Sequence, residues 1–495
     1  MGRVLIVGGG AAGLAAALFM RRLGHEAVVF EKLPHTAPLL RGFMRRGLHF
    51  DTGFHYAGGL GDGILSRYLN VLGLDRYLER VPLSTTDGEI VRFSPGRGDF
   101  PIARGRDAFA ATIAGAFPGA AEKLPIFFDK IEEYARYSPF LNPDGEGFDP
   151  HRLFEESITL DAFFDELGLP PRLRLILGFR CLLYGVHPAY SRLRDFSLVN
   201  AAYIDDAAAI TGGGRALAEA FDLALAEAGA EVRTGVEVVG IDLGGGNSVK
   251  SVKIRRHESG DVEDVPGDMC LYCGAPAALP DLLPPGALRP VFANRLLNLK
   301  ETDKPFIMFG VTTSEFFRHR QLFSCPDDSF DPWFPGQNCP ASANGRSPAY
   351  VSGGDGLDGR YPVAVLTTIP PEATARWKGG GLAADRSGYR EFKEKTSEAL
   401  RHQLLEDCPE FGGTLEIIES ATDVSMRHWS FNSSGSLYGK IHGTVSSPVL
   451  PVTRINGLAL AGQNIILPGL LGVTVSAAVA AGSLVGNNRV LELLQ

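Results

Sequence analysis

The chain has 495 residues, enough for two or three domains and a large core, and its 45% hydrophobic and 21% charged residues are ordinary globular values. A net charge of -9 leaves no basic excess to displace phosphate counterions, which excludes a nucleic-acid partner. Six cysteines in so long a chain fit a reducing, cytoplasmic setting rather than a disulfide scaffold.

Val4-Leu5-Ile6-Val7 is an apolar run suited to a buried parallel strand, and it feeds into Gly8-Gly9-Gly10-Ala11-Ala12-Gly13 and a helical stretch from Leu14 to Leu23. Gly24 is placed to end that helix. Ala27-Val28-Val29-Phe30 reads as a second strand, and Glu31 follows where a ribose-binding carboxylate belongs. In such a unit Gly8 permits the tight turn, Gly10 lets the backbone approach a pyrophosphate, and Gly13 allows close packing behind it. Because strand, turn, helix, second strand and acid are all in place, the stretch predicts a dinucleotide site. Its start so close to Met1 leaves no room for a secretory signal, so none is expected.

Gly42 to Gly59 contains the strand-like Gly47-Leu48-His49-Phe50-Asp51 and then a flexible, glycine-rich segment able to run beside a planar ligand, with His55 and Tyr56 inside it. Ile64 to Gly168 reads as largely helical and aromatic, including Phe109, Phe127, Phe128 and Phe140, with a predicted N-cap at Thr159 and a further helix from Arg172 to Tyr184. Thr211-Gly-Gly-Gly-Arg opens another helix, closed by Gly229; it lacks the spacing of the first glycine motif, which leaves one dinucleotide site. Glu231 to Ile241 continues as strand, and Gly244 to Ser248 predicts a hairpin turn. Cys270-Leu-Tyr-Cys273 has half a metal site's spacing, but nothing completes it, and the pair reads as apolar strand; no metal is expected.

Strands at Pro305–312 and Val363–368 and a charged helix over 387–406 follow, with Ser324 to Gly353 expected to be loop. Gly457-Leu-Ala-Leu-Ala-Gly-Gln-Asn464 is a strand ending in small residues. Pro468 to Gly482 opens a helix behind a glycine turn; its proline and glycines argue for a buried helix over a membrane span. Facing a flavin, such a helix N-terminus stabilises charge on the reduced ring by about 1 kcal/mol or more.

Val7-Gly-Gly-Gly-Ala-Ala-Gly-Leu-Ala-Ala-Ala17, Phe50-Asp-Thr-Gly-Phe-His-Tyr-Ala-Gly58 and Leu460-Ala-Gly-Gln-Asn464 with Gly469-Leu-Leu-Gly-Val473 together resemble the phytoene desaturase, carotenoid isomerase and retinol saturase group of flavoproteins. The middle piece looks most like the retinol saturase branch, and Gly435-Ser-Leu-Tyr-Gly439 resembles a shared element near the active site. The resemblance implies an α/β fold with a discontinuous Rossmann-type FAD-binding domain (1–63, 200–275 and 420–495) and an α+β substrate domain carrying a helical insertion (64–199 and 276–419). Gly8, Gly10 and Gly13 would meet the pyrophosphate, Glu31 the ribose, Val238 the adenine side, and Gly462, Gln463, Gly472 and Val473 the ribityl and flavin end; Ala12, Lys32 and Arg41 complete the cofactor set. Leu39 and Leu40 replace the usual paired glycines before Arg41, and Asn464 stands where aspartate is common.

The implied activity is an FAD-dependent oxidoreductase or isomerase acting at C=C bonds of an apolar polyene or isoprenoid by hydride transfer at flavin N5. Its expected partners are an apolar small molecule, a quinone or other electron acceptor or donor, and a membrane surface contacted peripherally. His55 and Tyr438 are the side chains expected to donate protons or orient substrate, with Tyr184, Arg427 and His428 behind them. Two alternatives share the architecture: a flavin amine or porphyrinogen oxidase, and a non-catalytic binder of prenylated partners like the Rab escort and GDP-dissociation-inhibitor proteins. The complete flavin-end segment, Gly462 to Ser476, argues against the second.

Overall fold

In the computed structural model, which describes residues 2–145, 157–379, 381–430 and 435–495, the first strand, β1 (Arg3–Val7), is buried on both faces. Val4 and Ile6 join one core and Leu5 and Val7 another, as the two-residue repeat of a strand requires. β1 lies at the centre of a five-stranded parallel sheet, flanked by β2 (Glu26–Phe30) and Met269–Tyr272, with Glu231–Arg233 and Leu458–Leu460 at the edges. Strands far apart in sequence therefore converge on one sheet. Cys270 pairs with Leu5 and Leu458 in it, so the first cysteine is strand as expected, while Cys273 follows directly after the strand ends at Tyr272.

One face of this sheet carries α1 (Ala11–Arg22), α2 (Gly213–Glu227) and α3 (Gly469–Val485). Where α1 and α3 meet, Ala15, Ala16, Ala17, Ala477, Ala478, Ala480 and Ala481 are all fully buried. Small residues let the first and last long helices of the chain approach closely, so both ends of the chain belong to one layer. The opposite face is covered by the three-stranded sheet of Val236–Gly244, Ser248–Arg256 and Val262–Pro266, whose first two strands form the expected hairpin.

The second unit is a seven-stranded mixed sheet in the order Glu416–Thr422, Lys304–Thr312, Tyr361–Ile369, Ala349–Gly353, Gln321–Cys325, Glu89–Phe93 and Asp99–Ile102. Two expectations change here. The stretch from Ile64 to Gly168 is not uniformly helical, because it supplies the last two strands of this sheet; part of it, residues 146–156, lies outside the described residues. All five residues of Glu89–Phe93 are buried, so the alternation that marks a half-exposed strand is absent. Similarly, Ser324 to Gly353 is loop only in its middle, where the 3-10 turns Asp331–Trp333 and Pro335–Gln337 lie between two strands.

Helices Arg106–Ala116, Leu124–Arg136, Leu160–Glu166, Pro171–Gly178 and Leu193–Asp205 cap the sheet. Thr159 accepts from the Ala162 N–H at 3.2 Å, the predicted N-cap. Phe109, Phe127 and Phe128 are at most 2% exposed and pack on one another, so these aromatics are core.

One buried ion pair fastens cap, sheet and the glycine-rich segment together. Arg180, in the cap, donates to Glu89 through Nη2 at 2.6 Å and Nε at 3.2 Å, and the Tyr56 hydroxyl donates to the same carboxylate at 2.7 Å. The two charged side chains are only 3% and 6% exposed. Glu89→Leu should therefore cost about 3–5 kcal/mol, since it strands a buried guanidinium, whereas Glu89→Leu with Arg180→Met should recover most of that loss. Denaturant midpoints of the three proteins check this; a double variant no more stable than the single would contradict it.

Candidate active site

The glycine turn is shaped by contacts that only glycine tolerates. Gly8 sits at φ +107°, and a Cβ on Gly13 would overlap the Gly8 carbonyl oxygen. A Cβ on Gly9 would lie 2.8 Å from that of Glu31, whose carboxylate accepts the Gly9 N–H at 2.7 Å and the Leu33 N–H at 2.8 Å. Gly10 differs: a Cβ there meets nothing within 4 Å. Gly10 also caps α1 with no side-chain hydrogen bond, so the helix N-terminus faces open space with its dipole unopposed.

The remaining predicted cofactor residues fall in two groups. At one end the backbone from Arg233 to Val236 hydrogen-bonds Glu31 and Leu33, and the Lys32 ammonium reaches Glu237 at 2.7 Å, beside Val238. Arg41 turns to Thr36 and to Asp222 of α2, pinning the intervening loop; Ala37 in that loop donates to the Gly9 carbonyl at 2.8 Å. At the other end Gly462, at φ +117°, would put a Cβ 3.9 Å from that of Ala12, so the two distant motifs touch. Its N–H donates to Ser476 of α3 at 2.9 Å, and Gly472 packs too tightly on the Leu467 carbonyl for any side chain. α3 begins at Gly469 without a side-chain cap, and Val473 in its first turn is partly exposed.

The segment from Gly435 to His442 lies against this second group. Lys440 N–H donates to the Asn464 side chain at 2.8 Å and His442 Nε2 to the Gln463 carbonyl at 2.6 Å, so the asparagine found in place of aspartate serves as a backbone acceptor. Burial pushes His442 down to about 3, which keeps it neutral. Lys440 is 3% exposed, and its ammonium has no hydrogen bond or ion pair among the described residues; burial lowers it to about 8.

Two cavities meet at one pair of rings. The first is apolar, holds about 10 Å³, and is walled by Leu182, Phe323, Trp333, Leu366, Tyr350 and Tyr438 among others. The second holds about 50 Å³ and is the more polar of the two, with His49, Asp51, His55, His319 and Asp355 in its wall. His55 of the polar cavity and Tyr350 of the apolar one contact edge to face at 5.7 Å. Neither the His55 ring nor the Tyr438 hydroxyl has a hydrogen-bond partner among the described residues, although burial lowers His55 to about 4 and raises Tyr438. A structural histidine would be hydrogen-bonded.

The other named side chains are occupied or distant. Tyr184 bonds Ser191 at 2.7 Å and Cys181 at 3.1 Å, while Arg427 and His428 lie on the helix Asp423–Ser430, facing Asp423 at 4.0 Å and Trp429 at 4.8 Å. None of the three lines either cavity. His187, Asp331 and Cys339 bring ligand-type atoms within 4.8 Å of one another, but Ala189 N–H donates to His187 Nδ1, so Nε2 carries the proton toward Asp331 and has no lone pair for a metal.

Comparison with known proteins gives likenesses of sequence and of fold. An NAD(P)-binding Rossmann-like domain matches residues 6–72. Human all-trans-retinol 13,14-reductase is 22% identical over 546 aligned positions, covering 99% of this chain and 86% of that one. Among solved structures, an oxidoreductase from Methanosarcina mazei superposes with a TM-score of 0.65 at 14% identity, covering 96% of this chain and 98% of that one. Cyclohexylamine oxidase from Brevibacterium oxydans superposes with a TM-score of 0.59 at 13% identity, covering 99% of each chain. The chain shares the fold of these two proteins. Local sequence patterns did not single out Asp51 and Tyr350, which line the cavities, or Gly9 and Lys440, which hydrogen-bond Glu31 and Asn464.

Asp51 supplies a direct test of the polar cavity. Its Oδ1 accepts the Gly214 N–H at 2.7 Å, yet burial raises its pKa to about 7, with the nearby Asp355 charge adding to the shift. The folded pKa lies above the unfolded one, so the native state binds more protons between about pH 4 and about 7, and stability falls as pH rises through that window. Asp51→Asn keeps the acceptor and removes the titration. Relative to wild type the variant should gain stability over this window, by an amount on the order of 4 kcal/mol, and the difference should be flat above it. Urea melts across pH check this; a pH-independent difference would contradict it.

Proposed function

We propose that the protein is an FAD-dependent oxidoreductase acting on a C=C bond of an apolar polyene, a retinoid or a compound of similar chemistry. The full-length likeness to proteins named all-trans-retinol 13,14-reductase carries this reading, and two adjoining cavities, one apolar and bearing the unpaired Tyr438 hydroxyl, the other bearing the unpaired His55 ring, support it.

The residues present fit the cofactor. The open space over Gly10 and the uncapped α1 terminus suit a pyrophosphate, each Glu31 oxygen keeps a lone pair for a ribose hydroxyl, and the uncapped start of α3 suits the anionic edge of a reduced flavin. When bound, FAD supplies hydride chemistry at N5. The chain then contributes position, dryness and protons. Leu182, Phe323, Trp333 and Leu366 exclude water around an apolar substrate, and His55 and Tyr438 orient it or hand it a proton. A space of about 10 Å³ admits a single water, so a polyene enters only as wall side chains move, with Trp333 and Phe334 of the 331–337 turns best placed to yield.

A second reading, a flavin amine oxidase, is favoured by Lys440 and by the paired aromatic walls Tyr350 and Tyr438. Substrate distinguishes the two. Purified protein should be yellow or take up FAD; Gly10→Ala should melt like wild type yet bind FAD at least about tenfold more weakly, because its methyl fills the phosphate space, whereas Gly13→Ala should lower the melting temperature itself. Anaerobic incubation with all-trans-retinol and other polyenes, with a reductant or a quinone, should give a product whose mass differs by two hydrogens or an isomer, and His55→Gln should slow it by about 100-fold with FAD still bound. Colourless protein without FAD uptake, or oxidation of amines alone, would overturn the polyene reading.

An insoluble substrate also implies contact with a membrane surface. No helix among the described residues is long and apolar enough to cross one. Val291 and Leu297, 72% and 54% exposed, project from the helix Pro290–Leu297, whose Arg295 bonds Pro448 near the exposed Leu450 and Val452. Flotation with liposomes should carry the protein up, and Val291→Glu with Leu297→Glu should abolish it; flotation unaffected by both changes would count against this face.

A further inference from the structure

We propose that the polar cavity is a water-filled path that carries protons from solvent to His55, with Asp51 as the group that holds the proton; this rests on the reading that the protein reduces a C=C bond. Reduction of such a bond adds a hydride to one carbon and a proton to the other. The hydride brings both electrons from FAD, which a two-electron donor must reduce again, but the proton has to reach a site walled off from water.

The cavity has an outer and an inner end. At the rim Gly212 is exposed and Asp355 is 29% exposed, accepting from His319 Nε2 at 2.9 Å and from the Gly212 N–H at 2.8 Å. At the inner end His55 has no partner of its own and its ring touches Tyr350 of the apolar cavity. Between them, about 50 Å³ accommodates a chain of roughly three or four waters.

Asp51 lines the same cavity, and its surroundings ask for a proton. His49 Nε2 donates to the Arg41 carbonyl at 2.9 Å, which leaves His49 Nδ1 as a lone-pair acceptor 3.8 Å from Asp51 Oδ1. Two acceptors facing each other are at ease only when one of them, or a water between them, carries a hydrogen. Asp355 lies across the cavity as a second carboxylate, and Arg215 and Glu219 of α2 act on His49 from behind with opposing signs. The Gly214 N–H is the single donor to Asp51 among the described residues, so burial prevails and the group titrates near neutrality. A carboxyl with that affinity can take a proton from solvent water and release it inward within one turnover. In the cycle the proton passes from Asp51 through cavity water to His55 and on to the substrate carbon, and Asp51 is refilled from the Asp355–His319 rim.

Infrared difference spectra of the purified protein test the storage step without any substrate. A protonated-carboxyl C=O band should fade as the pH rises through about 7 and be absent from Asp51→Asn. In the FAD-loaded enzyme given a reductant and all-trans-retinol, Asp51→Asn should slow product formation about tenfold or more and remove the inflection near pH 7, leave retinol binding unchanged, and be partly rescued by Asp51→Glu. Ala364→Val, which narrows the cavity while keeping Asp51, should slow the reaction and leave the infrared titration intact. An absent carboxyl band, or an Asp51→Asn enzyme with wild-type rate and pH profile, overturns the path. A wild type that reduces no polyene yet keeps the infrared titration supports proton storage at Asp51 and overturns the functional reading instead.

Discussion

The carboxylate of Glu89 is the point on which three parts of the molecule hang. It belongs to a strand of the mixed sheet, takes two hydrogen bonds from Arg180 of the helical cap, and takes a third from Tyr56, the residue after His55. A charge at 6% side-chain exposure persists only when its acceptor sites are filled, so none of these partners can drift independently. The geometry of His55 is thus inherited from a neighbour's ion pair. The same pair explains how a glycine-rich segment can hold a side chain in the wall of one cavity and against Tyr350 of the other.

At the nucleotide end the constraint is steric rather than ionic. Gly8, Gly9 and Gly13 are needed because backbone or carboxylate atoms occupy the space a side chain would take, while Gly10 borders space that the fold leaves unfilled. The alanine seam between α1 and α3 belongs to the same logic: it draws Gly462 up to Ala12, and so closes a site from segments about 450 residues apart in the chain. Glycines that look alike in the sequence therefore divide into those that build the turn and the one that borders open space.

That division marks how far the sequence could be read. The strand, turn, helix and acid of residues 3–31, the capping Thr159, the hairpin at Gly244 to Ser248 and the C-terminal helix all carry their cause within a few neighbouring residues, and each is found where local chemistry puts it. Glu89–Phe93 lies inside the stretch from Ile64 to Gly168 that the sequence marks as largely helical, and both of its faces are buried, which erases the two-residue rhythm of a strand. Asp51 and Tyr350 were silent for a different reason. Their significance comes from Gly214, Asp355 and His55, residues that the fold and not the sequence makes their neighbours.

The two cavities adjoin at the His55–Tyr350 ring pair, and on the proposed path this limits how His55 can work. Its imidazolium is disfavoured by burial, with a pKa near 4 against about 7 for Asp51, so full transfer of a proton from Asp51 to His55 runs uphill by about three units, or about 4 kcal/mol. A relay in which one ring nitrogen accepts from cavity water as the other donates toward the substrate never forms the imidazolium and avoids that cost. Such a relay needs both nitrogens free of protein partners, and His55 meets that condition among the described residues, whereas His49, His187, His319 and His442 each have a nitrogen engaged. On the proposed path the missing hydrogen bonds of His55 are what the relay requires: a histidine tied to the backbone would be better anchored and unable to pass a proton through.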